Sequence, residues 1–238
     1  MLMLDKKVIL ITGAVGNLGL ATARAAQVAG AHTVLVDRSA DRLRKVYADL
    51  VNSPNHLLVG EVDLSSENSV TTMIETASRH FRRIDGLVNT VGAWRGGKPV
   101  HETPLDDWVA MHDLNVRTTL LTCRAVVPHL LAQHRGSIVN VASRAALIGD
   151  GGSAAYSAAK SSVLRLTEAL SAELKFAGVN ANCVLPSTID TPQNRAAMPT
   201  ADHARWVEPA AIADVIVFLL SDAARAIHGA ALPVYGLS

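Results

Sequence analysis

The segment that decides the fold is Val-Ile-Leu-Ile-Thr-Gly-Ala-Val-Gly-Asn-Leu-Gly-Leu, residues 8–20. Its first four residues are all aliphatic, which is typical of a strand buried on both faces. Glycines at positions 13, 16 and 19 follow, and they overlap the start of a helical pattern at Asn17–Ala29. A strand, a glycine turn and a helix in this order predict an anion-binding turn, because backbone N–H groups converge at a helix N-terminus.

Each glycine of this turn has its own expected role. Gly13 takes the tight turn, Gly16 lets the backbone approach a pyrophosphate, and Gly19 lets the helix pack close to the sheet. We therefore predict that the loop binds a dinucleotide through Gly13, Gly16, Asn17, Leu18 and Gly19. A purely structural glycine turn is the alternative.

An acidic residue follows at the distance that ribose binding requires. Asp37 ends the second predicted strand, 24 residues after Gly13. Its carboxylate accepts hydrogen bonds from ribose hydroxyls and repels a 2′-phosphate, which favours NAD. The neighbouring guanidinium of Arg38 argues the other way, so NADP stays possible.

Short aliphatic runs alternate with longer helical patterns along the whole chain. The predicted strands are Val8–Ile11, Thr33–Val36, Leu57–Val59, Gly86–Asn89, Ser137–Val141, Ala181–Leu185 and Ala231–Val234. The predicted helices are Asn17–Ala29, Asp41–Leu50, Ser66–Phe81, Leu105–Gln133, Ala154–Ala177 and Pro209–Leu220. This alternation predicts an α/β fold, a doubly wound Rossmann arrangement in which a parallel sheet of about seven strands carries helices on both faces. No linker divides the chain, so we expect a single domain over residues 1–238. Its longest irregular stretch, about 187–207, is a candidate substrate loop.

Composition excludes several classes of function. The 22 Lys and Arg residues against 21 Asp and Glu residues leave a net charge of +1, so nothing attracts nucleic acid or an anionic membrane surface. No apolar run reaches the ~18–20 residues of a membrane span. Cys123 and Cys183 stand too far apart for a CxxC site, and no histidine pair has metal-ligand spacing, so we expect no metal. A reducing, cytoplasmic location fits this cysteine content.

A tyrosine and a lysine stand at the start of the fifth predicted helix. Tyr156 and Lys160 are four residues apart, so their side chains share one helix face. An ammonium beside a phenol favours the phenolate and lowers the pKa of the phenol. The pair is therefore predicted to act as a general acid/base on an alcohol or a carbonyl.

Two polar residues are expected near this pair. Ser143 follows the predicted strand Ser137–Val141, at the sheet edge where α/β proteins bind ligands, and its hydroxyl is a candidate holder of a substrate oxygen. Asn115 lies within the predicted helix Leu105–Gln133, and its amide is a candidate to hold Lys160 directly or through water. The alternative for Asn115 is a buried amide satisfied by backbone groups.

Together these residues resemble the short-chain dehydrogenase/reductase family over nearly the whole chain. The resemblance rests on Thr12–Gly19, Asp37, Asp63-Leu64, Asn89–Gly92, Asn115, Ser143, Tyr156, Lys160 and Pro186–Thr191. It implies an NAD(P)-dependent oxidoreductase acting on a small-molecule alcohol or carbonyl, assembled as a homodimer or homotetramer.

The resemblance also implies roles for individual residues. Tyr156 exchanges the proton, Ser143 orients the carbonyl, Lys160 binds the nicotinamide ribose, and Asn115 supports a proton relay. The remaining implied cofactor contacts are Asp63 and Leu64 at the adenine, Asn89 and Gly92 at its ribose, and Pro186, Ile189 and Thr191 at the carboxamide end.

The chain departs from the family pattern at several points. Asn17 stands where a glycine is usual, and Ser187 replaces the glycine that usually follows Pro186. The segments Gly92–Gly97 and Leu185–Arg195 are similar to dihydropteridine reductases. Reduction of a quinonoid pterin by NADH is therefore one alternative function, and a non-catalytic dinucleotide-binding regulator is another.

Overall fold

The computed structural model describes residues 2–238, so Met1, the first residue of the predicted domain, lies outside the described residues. Seven parallel strands form one sheet in the order β3-β2-β1-β4-β5-β6-β7. The strands are β1 Val8–Thr12, β2 His32–Val36, β3 His56–Val59, β4 Gly86–Asn89, β5 Gly136–Val141, β6 Val179–Pro186 and β7 Ala231–Val234. The predicted parallel α/β sheet is confirmed, with strand ends that shift by two residues at most.

Helices cover both faces of the sheet. They are α1 Asn17–Val28, α2 Ala40–Val46, α3 Glu67–Phe81, α4 Leu105–His112, α5 Thr118–Gln133, α6 Ala154–Leu174, α7 Pro192–Ala197 and α8 Pro209–Leu220. Alternate residues of β1 enter opposite cores, because successive strand side chains point to opposite faces. Ile9 and Ile11 belong to the core beneath α1 and α8, whereas Val8 and Leu10 belong to the core beneath α3, α5 and α6.

The strand order reverses beside β1, and this reversal positions the site. β1 pairs with β2 on one side and with β4 on the other, so Thr12 lies between Val36 and Asn89. The loops that leave β1 and β4 therefore diverge to opposite faces. Ligands of open α/β sheets bind in the crevice that such a divergence opens at the carboxyl ends of the strands.

Four predicted elements differ from the structure. The predicted helices Asp41–Leu50 and Ala154–Ala177 are α-helical only to Val46 and Leu174, and each is followed by a short 3₁₀ helix. The predicted helix Leu105–Gln133 is interrupted by a π-helical turn at Asp113–Arg117, which separates α4 from α5. The predicted irregular stretch 187–207 contains α7, because the Thr191 hydroxyl accepts a hydrogen bond from the Asn194 N–H at 3.1 Å and caps this helix. None of the helices among residues 2–238 combines the length and the apolar character needed to cross a membrane.

Candidate active site

The glycine loop between β1 and α1 leaves the start of the helix open. Gly13 has a φ of +64°, a left-handed conformation that side chains disfavour. A Cβ on Gly19 would lie 2.1 Å from the Gly13 carbonyl oxygen, so only glycine lets the helix begin this close to the loop. Gly16 precedes the helix, and no side chain caps its first turn. The N–H groups of this turn, which includes Asn17 and Leu18, remain free of side-chain partners.

Asp37 lies directly against this loop. Its side chain is buried, with hydrogen bonds from the Val15 N–H at 3.4 Å and the Ser39 N–H at 3.2 Å. These bonds hold the carboxylate at the end of β2, beside the glycine loop. Arg38 is exposed to solvent next to it.

Sequence reasoning missed a tyrosine that supports the loop from below. Tyr47 is fully buried, and its hydroxyl donates a 2.6 Å hydrogen bond to the Ala14 carbonyl. Burial also raises the pKa of this phenol, so it stays a donor. The sequence carries no local signal for this contact, because Tyr47 lies 33 residues from Ala14 in the chain.

Lys160 is buried beneath the crevice. Only 4% of its surface is exposed, and its ammonium donates a 2.9 Å hydrogen bond to the carbonyl of Val141, the last residue of β5. Burial lowers the pKa of Lys160 to about 8. The ammonium nitrogen lies 5.9 Å from the centre of the Tyr156 ring, so helix α6 does present both side chains to one region.

The phenol itself differs from the sequence expectation. Burial raises the pKa of Tyr156, and a hydrogen bond with the Ser143 side chain lowers it only in part. The predicted lowering of this pKa by Lys160 is therefore wrong for the protein without a dinucleotide, because desolvation of the phenolate outweighs the other contributions. Ser143 also accepts a 3.2 Å hydrogen bond from the Ala145 N–H, which orients its hydroxyl.

Asn115 lies in the π-helical turn and is fully buried. Its amide donates to the carbonyls of Ala93 and Met111 at 3.0 and 2.9 Å, and its oxygen accepts from the Ala93 N–H at 3.2 Å. The structure shows these backbone bonds and no direct bond to Lys160. The two side chains still meet at Gly92, since a Cβ there would lie 2.8 Å from the Asn115 oxygen and 3.0 Å from the Lys160 nitrogen.

The side chain of Asn89 is occupied inside the protein. Its oxygen accepts from the Thr122 hydroxyl at 2.8 Å, and its amide donates to Asn140 at 3.0 Å. These bonds tie β4 to α5 and β5, which leaves the backbone of Asn89 as the part that can reach a ligand.

Asp63 and Leu64 follow β3 and point in different directions. Asp63 is exposed, and its carboxylate accepts from the N–H and the hydroxyl of Ser65 at 2.9 and 2.6 Å, which holds its pKa below the usual range. Leu64 is buried in the core beneath α3.

The candidate substrate loop is held at its base. Pro186 ends β6, Ile189 bridges to Val207, and Thr191 caps α7. The Ser187 hydroxyl contacts residues 235–238, which we call the strap: it donates to the Tyr235 carbonyl at 2.6 Å and lies 2.7 Å from the Ser238 hydroxyl. The serine that replaces the usual glycine therefore has a packing reason that the sequence did not reveal.

Comparison with known proteins identifies the family. The family model for short chain dehydrogenases matches residues 7–202. Among curated proteins, the meso-2,3-butanediol dehydrogenase of Serratia marcescens is 36% identical over 98% of this chain and 94% of its own length.

Solved structures agree with this match. The 3-ketoacyl-(acyl-carrier-protein) reductase of Brucella melitensis, complexed with NADH, has a TM-score of 0.88 and 30% identity, with 98% of each chain covered. The gluconate 5-dehydrogenase of Burkholderia cenocepacia, in complex with NADP and tartrate, has a TM-score of 0.91 and 27% identity over 99% of this chain and 96% of its own.

The chain therefore belongs to the short-chain dehydrogenase/reductase family. It is an NAD(P)-dependent oxidoreductase that transfers a hydride between nicotinamide and an alcohol/carbonyl substrate, and not a non-catalytic regulator.

The crevice has the features that a dinucleotide requires. The open N-terminus of α1 suits a pyrophosphate, Gly13 and Gly19 keep side chains out of the loop, and Asp37 would be a fixed acceptor for ribose hydroxyls. When bound, the dinucleotide supplies the hydride donor or acceptor. The chain supplies the binding groups, the orientation of the substrate and the proton. Among residues 2–238 no group of three or more His, Cys, Asp or Glu side chains is arranged to hold a metal ion.

Proposed function

We propose that Tyr156 is the general acid/base of this enzyme and that Ser143 orients the substrate oxygen. The observation that carries the proposal is the cluster at the end of β5, where the Ser143 side chain lies close enough to the phenol to lower its pKa and the buried Lys160 nitrogen lies 5.9 Å from the centre of the phenol ring. A substrate oxygen that accepts from both hydroxyls would receive its proton from Tyr156 during reduction. In the oxidative direction the same phenol oxygen would accept the proton.

The raised pKa of Tyr156 suits the reductive direction. Below its pKa the phenol carries the proton that a developing alkoxide needs. Lys160 would hold the nicotinamide ribose, and its charge would favour the phenolate when the reaction runs towards oxidation. Asn115 would act as a positioning residue, because its amide holds the backbone of Ala93, next to Gly92.

For the cofactor, we propose a preference for NAD over NADP. Asp37 supports it, because two backbone N–H groups hold the carboxylate where a 2′-phosphate would have to lie. Dissociation constants for NADH and NADPH, measured by quenching of protein fluorescence, test the preference, and tighter binding of NADPH would contradict it. The other proposed contacts are Gly13, Gly16, Asn17, Leu18, Gly19, Arg38, Asp63, Leu64, Asn89, Gly92, Pro186, Ile189 and Thr191.

For the substrate, we propose a small secondary alcohol with a neighbouring hydroxyl or carbonyl group. The diol dehydrogenase and the gluconate dehydrogenase among its relatives act on such compounds by name. We propose that the domain uses the loop 187–207 to cover this substrate. A panel of vicinal diols, simple ketones, acyl thioesters and a quinonoid pterin, each assayed with both cofactors, tests the class. Highest activity on the pterin would favour the dihydropteridine reductase alternative, to which the exposed indole of Trp94 offers a stacking surface.

We also propose that the protein is a homodimer or homotetramer that works in a reducing compartment such as the cytoplasm. Leu105, Val109 and Leu120 expose apolar side chains on α4 and α5, and contact with a second copy would remove them from water. Both cysteines are buried and unpaired, which suits a reducing compartment. Light scattering coupled to size-exclusion chromatography measures the oligomeric state.

The decisive test of the catalytic assignment is Tyr156→Phe. We expect turnover to fall about 10²- to 10⁴-fold, because the proton donor is lost, while the dissociation constant for NADH stays nearly unchanged. Tyr235→Phe is the matched control, since it removes a hydroxyl and keeps the ring that lies 5.8 Å from the Arg144 guanidinium. Near-normal turnover of the Tyr156→Phe variant would overturn the assignment.

A further inference from the structure

One hydrogen bond joins the end of the glycine loop to the candidate substrate loop, residues 187–207. The amide of Asn17, the first residue of α1, donates to the side-chain oxygen of Gln193 in α7 at 2.8 Å. The two residues are 176 positions apart in the chain. Asn17 is also the residue that departs from the usual glycine of the loop, so this contact gives the departure a physical reason.

The short helix that carries Gln193 is attached to the residues just before it. Thr191 caps it, and the Asn194 amide donates to the Ile189 carbonyl at 2.8 Å. Arg195 forms a two-point ion pair with Asp190, with nitrogen–oxygen distances of 2.5 and 2.7 Å. These contacts fix the position of Gln193 in α7, and the hydrogen bond from Asn17 sets the orientation of its carboxamide.

The remaining half of this carboxamide is free. The Gln193 amide nitrogen has no hydrogen-bond partner among residues 2–238, while the oxygen of the same group is held at the first residue of α1. An amide N–H placed beside a helix N-terminus adds a donor where an anion binds.

We propose that Gln193, oriented by Asn17, is a further cofactor-binding residue whose amide donates a hydrogen bond to the pyrophosphate of the dinucleotide. The inference rests on the proposed binding of a dinucleotide at the glycine loop. Because Gln193 belongs to the substrate loop, the Asn17–Gln193 bond also latches that loop over the cofactor. Release of the dinucleotide then requires this bond to open.

The test compares binding and release of NADH in Asn17→Gly, Gln193→Ala and the double variant. Fluorescence titration gives the dissociation constant, and stopped-flow displacement by excess unlabelled cofactor gives the release rate. We expect Gln193→Ala to raise the dissociation constant and the release rate about 3- to 10-fold, the range for the net contribution of one solvent-accessible hydrogen bond. Asn17→Gly keeps the backbone N–H of residue 17 and should weaken NADH binding less than Gln193→Ala does. It should add nothing once Gln193 is gone, because the Asn17 side chain acts only through Gln193.

Two controls separate this inference from its alternatives. Asn68→Gly places a glycine in the first turn of α3, where Asn68 is exposed, and it should leave NADH binding unchanged. ADP-ribose keeps the pyrophosphate and AMP lacks it. Gln193→Ala should therefore weaken the binding of ADP-ribose several-fold and leave the binding of AMP unchanged. Equal affinity of parent and Gln193→Ala for ADP-ribose, or additive effects of the two substitutions, would overturn the inference. Failure of the parent to bind any dinucleotide would instead overturn the proposed function.

Discussion

Replacing Lys160 with methionine should make the cofactor-free protein more stable while it abolishes activity. The side chain is 4% exposed, and burial lowers the pKa of its ammonium from 10.5 to about 8. At about 1.4 kcal/mol for each factor of ten in proton affinity, this drop costs the folded state about 3 kcal/mol near neutral pH. Methionine removes that cost but leaves the Val141 carbonyl without its donor, which costs about 1 kcal/mol. We expect the Lys160→Met substitution to raise the free energy of unfolding by about 2 kcal/mol at pH 7.

The pH dependence gives the same reasoning a second check. The pKa of Lys160 is lower in the folded state, so between pH 8 and 10.5 the unfolded chain binds the additional proton. Stability of the parent therefore rises with pH through this window, and the contribution of residue 160 to that rise is absent from the Lys160→Met variant. The difference in the free energy of unfolding between the parent and the Lys160→Met variant should become smaller as the pH approaches 10.

Urea unfolding without cofactor, followed by circular dichroism at pH 7 and pH 10, measures both effects. Lys175→Met is the matched control, because Lys175 is exposed and its loss should change stability little at either pH. Added NADH should stabilise the parent more than the Lys160→Met variant, since the ammonium is proposed to hold the ribose. A Lys160→Met variant that is less stable than the parent at pH 7 would refute the reasoning, because it would show that the buried ammonium is net stabilising.

Other substitutions test the surroundings of the site. Gly92→Ala places a methyl group 2.8 Å from the Asn115 oxygen and should displace Asn115 or Lys160. We expect kcat to fall at least about tenfold, because an increase of about 1.4 kcal/mol in the activation free energy is enough for that loss. An unchanged kcat would contradict the tight packing. Tyr47→Phe removes the hydrogen bond to the Ala14 carbonyl and should weaken NADH binding by a few-fold, with about 1 kcal/mol of lost stability in urea unfolding. Ser187→Gly restores the residue usual in the family and frees the substrate loop from the strap. It should raise KM for the substrate a few-fold with kcat less affected, and steady-state kinetics that show an unchanged KM would argue against a role for the strap.

Local patterns in the sequence were enough to determine the fold and the phosphate loop. The strand Val8–Thr12 and the glycines after it are defined by neighbouring residues alone, because aliphatic runs and left-handed glycines are short-range properties. The same holds for the shared helix face of Tyr156 and Lys160, which follows from their spacing of four residues. Such features need no knowledge of the rest of the chain.

Only the tertiary structure decided what surrounds these groups. Burial of Tyr156 raises its pKa, and burial depends on segments that are distant in the chain. The π-helical turn at Asn115 and the bond between Asn17 and Gln193 likewise join residues whose proximity no local pattern encodes. Desolvation and long-range hydrogen bonds exist only once the chain has packed, so the sequence predicted which groups carry the chemistry, and the fold determined their protonation and their partners.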